Sequence, residues 1–182
     1  MELMSKDEMN HTFNAMVIGG SKVGKTKLIS FLTDKVEENH RYKSTHIGNI
    51  VSMIKQYNGI DFMWKFWDTP GDKNMVSYYR ASDVIIYCYD ASQMGKSSGP
   101  VSHIEDIPQE MDNVPIVCVY LGNGPRYSAE GDIYIDLDTG NGCEYLTSSL
   151  EQMFCNFRLN QIRKTQIERE SLAYKRMTSV VY

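Results

Sequence analysis

Residues 13–26 read Phe13-Asn14-Ala15-Met16-Val17-Ile18-Gly19-Gly20-Ser21-Lys22-Val23-Gly24-Lys25-Thr26. Phe13 to Ile18 is an apolar run with strand character, and from Lys25 to Leu32 the residues Leu28, Ile29 and Leu32 recur at helical spacing. Between the two, a glycine, four residues and then Gly24-Lys25-Thr26 fit the phosphate-loop pattern. The residue types carry the chemistry. Glycines let successive backbone N–H groups point at a β-phosphate, and the helix that follows adds the positive end of its dipole. Lys25 reaches the β/γ oxygens, and the Thr26 hydroxyl is placed to hold Mg²⁺. A strand before the loop and a helix after it supply the context that a chance glycine-rich turn lacks.

Further along, Ile47 to Tyr57 and Ile60 to Trp67 are strand candidates joined by Asn58-Gly59. Both central residues of a type I′ turn need positive φ, so this dipeptide predicts an antiparallel hairpin. Val84 to Tyr89 and Ile116 to Leu121 are continuous apolar runs that read as parallel strands covered on both faces, with Asp132 to Leu137 as a shorter one. Helical stretches separate them: Met75 to Ala81, Ile104 to Met111 (broken by Pro108), and Tyr145 to Phe157. The last carries Leu146, Leu150, Met153, Phe154 and Phe157 on one stripe. Alternating strands and helices predict an α/β doubly wound fold with ligands at the carboxyl ends of the strands. The expected sheet has six strands, mostly parallel with one antiparallel edge strand, and helices on both faces.

The chain has 182 residues, 42% of them hydrophobic, enough for one core that buries roughly 70% of the unfolded surface. No apolar run approaches the length of about 18 residues that spans a membrane, and the Met1-Glu2-Leu3-Met4 start is not a signal peptide. An intracellular protein is expected. Cys88, Cys118, Cys143 and Cys155 lack metal-ligand spacing and read as buried free thiols. From Arg158 onward six basic residues face two acidic ones, about +4, so the net charge of −4 leaves about −8 on the body. The division expected is a nucleotide-binding domain over 1–157 and a basic helical extension or tail over 158–182.

A second motif defines the phosphate-loop class. Phe62 to Trp67 is apolar and runs into Asp68-Thr69-Pro70-Gly71, an Asp-x-x-Gly sequence. Such a run resembles the GTPase pattern, and that resemblance implies that Asp68 contacts Mg²⁺ through water and that the Gly71 N–H senses a γ-phosphate, which makes the next segment a switch. Together with the loop at 19–26, three further stretches carry a resemblance over residues 13–157. They are Tyr42-Lys43-Ser44-Thr45 ahead of Ile47-Gly48, Ser77-Tyr78-Tyr79-Arg80-Ala81, and Val84 to Asp90. The chain resembles the Rab branch of the Ras superfamily of small GTPases.

That resemblance implies GTP/GDP and Mg²⁺ as cofactors. It implies nucleotide contacts from Gly20, Ser21, Lys22, Val23, Gly24, Lys25, Thr26 and Lys27, with Tyr42, Thr45, Gly71, Asn123 and Arg126 completing the set. It assigns Thr26, Thr45 and Asp68 to the metal and gives Lys25, Thr45, Gly71 and Asp72 the catalytic positions. It makes Thr45 the switch I threonine, a place favoured by the spacing from Tyr42 and Asp68, whereas His46, inserted before Ile47-Gly48, takes that place if Ile47-Gly48 sets the register. Effector and regulator proteins are expected to engage switch I, around Arg41 to Gly48, and switch II, Asp68 to Ala81. Nucleic acid is not an expected partner.

The family pattern breaks in two places. Asp72 stands where a Gln orients the attacking water; a carboxylate accepts from water but cannot also donate to phosphoryl oxygens, so slow hydrolysis is expected. The guanine-reading Asn-Lys-x-Asp is replaced by Asn123-Gly124-Pro125-Arg126. Arg126 donates and cannot accept, so guanine N–H groups lose a partner worth roughly 1.5–3 kcal/mol. Asp138-Thr139-Gly140 stands about where a backbone N–H meets the guanine carbonyl, and Glu38 replaces the aromatic residue ahead of Tyr42. No cysteine follows Cys155, so no prenyl anchor is expected, and the basic tail gives at most weak peripheral membrane contact. Two readings stay open: a slow GTP-dependent switch, and a pseudo-GTPase that uses the fold as an interaction module. A nucleotide kinase would need an acceptor site and an arginine-rich lid that the sequence does not offer.

Overall fold

The computed structural model describes residues 12–34, 48–57, 60–70, 82–93, 114–122 and 133–178. The helices expected over Met75–Ala81 and Ile104–Met111 lie outside these residues, as do both expected switch tips. Six strands form one sheet: β1 (Thr12–Gly19), β2 (Asn49–Tyr57), β3 (Ile60–Asp68), β4 (Val84–Asp90), β5 (Ile116–Leu121) and β6 (Ile133–Ile135). Their order is β2-β3-β1-β4-β5-β6, with only β2 and β3 antiparallel. Helix α1 (Lys25–Leu32) follows β1, and α2 (Cys143–Thr178) follows β6. The sheet is the expected one, mostly parallel with an antiparallel edge.

β1 is central because its apolar run can be buried on both faces. Ala15, Met16 and Val17 are essentially inaccessible, as are Val84, Ile85 and Ile86 of β4 beside them. Phe13, Trp64 and Phe66 pack as tilted rings, with centroids 5.2 Å apart for the first pair and 6.1 Å for the second. Asn14 and Asp83 tie the entrances of β1 and β4 together. The Asn14 N–H donates to Asp83 Oδ2 at 2.7 Å, its side-chain amide donates at 3.4 Å, and the Asp83 N–H returns a bond to Asn14 O at 2.8 Å.

β2 is an edge strand and keeps the alternation expected of one. Its register with β3 pairs Tyr57 with Ile60, as a two-residue hairpin connection requires, and pairs Ile50 with Trp67. Ile50 and Ile54 face outward. β5 is less enclosed than its apolar sequence predicts, since Ile116 and Cys118 are half-buried while Val117 and Val119 are buried.

β6 is shorter than the expected Asp132–Leu137. It ends at Ile135 because Asp136 opens a turn: its Oδ1 accepts the Asp138 N–H at 2.8 Å, and its carbonyl accepts the Gly140 N–H at 2.7 Å. The chain divides into two compact units, Met1–Glu144 and Tyr145–Tyr182. In the second, Leu146, Leu150 and Phe154 are buried at helical spacing, and the helix continues past Phe157 to Thr178. Among the described residues no helix is long and apolar enough to cross a membrane. All four cysteines are free, and of them only Cys88 is fully buried; Cys118, Cys143 and Cys155 are half-buried.

Candidate nucleotide-binding site

β1 delivers the chain to its carboxyl end at Gly19, directly beside Cys88 of β4. Gly19 has φ +140, and a Cβ there would stand 2.2 Å from the Cys88 carbonyl oxygen. The loop then turns through Lys22 at φ 65 and Gly24 at φ 105. Positive φ alternating with ordinary backbone is the conformation that turns successive N–H groups to one side as an anion cradle. Gly24 caps α1 without any side-chain hydrogen bond, and the first turn of the helix holds no acidic residue. The amide end of α1 is therefore neither capped by a side chain nor neutralised, which suits a negatively charged ligand.

Lys25 is buried, at 7% exposure, which for a lysine demands polar partners. Its Nζ donates to Gly19 O at 2.9 Å and to Gly20 O at 2.8 Å, so the ammonium is strapped across the mouth of the loop. One residue on, Thr26 Oγ1 donates to Asp68 Oδ2 at 2.6 Å. Asp68 arrives there because β3 pairs in parallel with β1, placing it opposite Val17. Thr69 fixes that end, its Oγ1 donating to Val17 O at 2.7 Å. Asp68 is 2% exposed.

A hydroxyl and a carboxylate in contact are hard oxygen donors and fit Mg²⁺. Among the described residues no group of three or more His, Cys, Asp or Glu side chains stands together to hold a metal. A Mg²⁺ at Thr26 and Asp68 would take its other oxygens from phosphate and water, its usual habit. Beneath the loop, burial pushes the Cys88 thiol up to about 12; Lys25 acts to lower it, and Asp68 and Cys118 to raise it.

The turn after β6 forms the flank of the site. Leu137 Cδ1 lies 2.4 Å from where a Gly24 Cβ would be, and Phe31 Cδ1 lies 2.9 Å from a Cβ on Gly140. Asp138 Oδ1 stands 3.5 Å from Lys27 Nζ, both side chains partly exposed. The expected base-carbonyl loop, Asp138-Thr139-Gly140, is thus beside α1, but it is Leu137, which the sequence did not single out, that packs against Gly24 of the phosphate loop. The signal for it was Gly24 itself, a position that leaves room for a neighbour's side chain.

Of the expected site residues, the structure brings together Gly20, Ser21, Lys22, Val23, Gly24, Lys25, Thr26, Lys27 and Asp68 around the carboxyl ends of β1 and β3. Tyr42, Thr45, Gly71, Asp72, Asn123 and Arg126 lie outside the described residues.

A glycine-bounded loop between a central parallel strand and a helix, with a buried lysine and a Thr–Asp contact at its rim, defines a phosphate-loop nucleotide-binding α/β domain. Residues 14–123 match the family model described as Ras of Complex, Roc, domain of DAPkinase. The chain belongs to the Ras superfamily of small GTPases. It is similar to the Ras-related protein RabF1 of Dictyostelium discoideum, 32% identical over 66% of this chain and 63% of the relative. It is also similar to the Ras-related protein Rab-7L1 of Homo sapiens, 24% identical over 63% of this chain and 60% of the relative. The match thus spans less than two thirds of each relative's length.

Proposed function

We propose that this chain is a Rab-like, Mg²⁺·GTP-dependent switch of intracellular vesicle trafficking or signalling, with slow GTP hydrolysis. The observation that carries the reading is the contact of Thr26 Oγ1 with Asp68 Oδ2 at 2.6 Å, on the rim of a loop whose lysine is already held in place. The two groups come from different elements, and a phosphate-bound Mg²⁺ is the ligand that needs them side by side. Bound Mg²⁺·GTP supplies the anhydride and the γ-phosphate charge that distinguish the two states of a switch. The protein's own part is positioning. The loop N–H groups and Lys25 neutralise phosphate oxygens, Thr26 and Asp68 orient the metal end, and Asp68 leads straight into the segment expected to respond.

Asp72 sets the rate in this reading. Its carboxylate accepts a hydrogen bond from water but brings a negative charge toward the γ-phosphate, so hydrolysis is slower than with Gln. Single-turnover hydrolysis by the parent should be at least about tenfold slower than by Asp72→Gln at equal GTP affinity. A parent as fast as the variant would make Asp72 a working catalytic group and overturn that part.

Arg126 favours a second reading, a pseudo-GTPase interaction module that holds guanine nucleotide weakly or not at all. Denaturing the purified protein and identifying what it releases separates the two: stoichiometric GDP or GTP supports the switch, and empty protein supports the module.

A further inference from the structure

We propose that Asp138 reads the base at this site, its carboxylate accepting from the N1–H and 2-amino groups of guanine in place of the acceptor that Arg126 cannot be. The inference rests on the nucleotide-binding reading above and deepens it.

The turn after β6 meets α1 at three successive levels: Leu137 at Gly24, Asp138 at Lys27 and Gly140 at Phe31. Gly24 is where the phosphate loop ends and the helix begins. A ligand with its phosphates on that loop therefore has this turn as its immediate side wall. The turn also stands beside the chain leaving β5, since Leu121 pairs with Ile135 and the Gly122 N–H donates to Ile135 O at 3.1 Å. A base carried along this wall from the phosphate loop would reach Asp138.

The neighbouring aspartates are not equivalent. Asp136 spends Oδ1 on the Asp138 N–H at 2.8 Å, which shapes the turn. Asp132 lies outside the described residues. Asp138 instead projects its carboxylate to solvent on the α1 side, 67% exposed, with Lys27 Nζ 3.5 Å away. A carboxylate presents two acceptor oxygens in one plane, the complement of two adjacent N–H donors, and guanine offers that pair where adenine does not. Lys27 serves as a positioning residue: its ammonium, 3.5 Å from Asp138 Oδ1, keeps the exposed carboxylate at the rim, where a base can reach it. An exposed pair of this kind adds little to stability, so both residues can be changed without unfolding the chain.

The test is calorimetry on the full chain with four probes: GDP, inosine diphosphate (which lacks the 2-amino group), ADP and inorganic tripolyphosphate. Asp138→Ala should weaken GDP by about tenfold or more, the loss of a charge-assisted pair, inosine diphosphate by less, and ADP and tripolyphosphate hardly at all. Asp138→Asn, which replaces one acceptor by a donor, should behave like the alanine variant. A GDP-to-ADP ratio that is the same in parent and variants overturns the role of Asp138 while leaving the phosphate site standing. Tripolyphosphate binding that is absent from the parent, or unaffected by Lys25→Ala, overturns the nucleotide site and this inference with it.

Discussion

The hydroxyl of Thr26 and the carboxylate of Asp68, 42 positions apart in the chain, meet at 2.6 Å. One belongs to the first turn of α1 and the other to the last residue of β3, so the contact reports that loop, helix and sheet have docked in register. It is also a stability element, because Asp68 is almost fully buried.

Thr26→Ala removes that donor from a buried carboxylate oxygen, a change that typically costs about 1–3 kcal/mol. Melting should fall by roughly 2–4 °C per kcal/mol for a chain of this size, and the Mg²⁺ dependence of nucleotide affinity should flatten. Thr26→Ser keeps the hydroxyl and should restore both. Circular dichroism melts with parallel Mg²⁺ titrations check this; if serine fails to rescue, the methyl rather than the hydroxyl matters.

Lys25→Ala should weaken triphosphate binding at least about tenfold, because it removes the ammonium that the loop carbonyls of Gly19 and Gly20 hold at the mouth. Lys25→Met, which retains most of the buried stem, should lose as much affinity while melting closer to the parent. Equal calorimetric affinity in the parent and the alanine variant would falsify the phosphate-loop assignment.

Gly24→Ala meets two obstacles, a φ of 105 and the Leu137 side chain at 2.4 Å. The first costs about 1–2 kcal/mol whatever the space, and the second yields if Leu137 is trimmed. The double variant Gly24→Ala/Leu137→Ala should therefore recover only part of the loss beyond Leu137→Ala alone. Full recovery in denaturant titrations would show that the loop conformation is unimportant.

Asp83 provides a pH test. Burial raises its carboxyl above 3.8, although the Asn14 backbone and side-chain N–H groups act to lower it. A raised folded value means the neutral acid is favoured in the fold. Its stabilising contribution is full below the unfolded value and is lost as pH rises through the folded one. Asp83→Asn keeps an acceptor for Asn14 without the charge, so it should stabilise at pH 7 by about 0.5 kcal/mol, solvent screening keeping the effect small. The advantage should shrink as pH falls toward 3.8. An advantage that grows on acidification reverses the sign and refutes the account.

Much of this was legible because local and tertiary demands coincided. The loop from Gly19 to Thr26 names its own geometry, and α1 and β5 have the bounds their apolar patterns announced. Asn58-Gly59 announced the antiparallel β2–β3 pair, whose register closes with Tyr57 opposite Ile60. Where non-local packing decides, the sequence was mute. Leu137 reads as the end of an apolar strand, yet Asp136 bends the chain so that Leu137 meets Gly24. Helix α2 outruns the stripe that ends at Phe157 because no glycine or proline occurs between Cys143 and Thr178, while helix formers such as Gln161, Arg163, Lys164 and Ala173 continue. Periodicity marks the buried part of a helix, and propensity carries it further.

Cys88 offers a chemical check on the loop floor. With its thiol pushed up to about 12 by burial, it should resist iodoacetamide in the native protein at pH 8 and react only on unfolding. Peptide mass mapping of natively alkylated protein should find Cys155 modified well before Cys88. Rapid native labelling of Cys88 would mean the floor opens.

The close approach of Gly19 to β4 has a genetic corollary. A side chain at 19 would strike the Cys88 carbonyl, a main-chain atom that cannot swing aside, whereas at Gly20 the nearest neighbour is a Val23 methyl at 3.4 Å. Randomising codon 19 should accordingly return two phenotypes and no gradient, since every missense allele fails for the same reason regardless of its charge or polarity. Codon 20 should return a ranked series graded by size, and the boundary between all-or-none and graded inheritance should fall between two adjacent glycines.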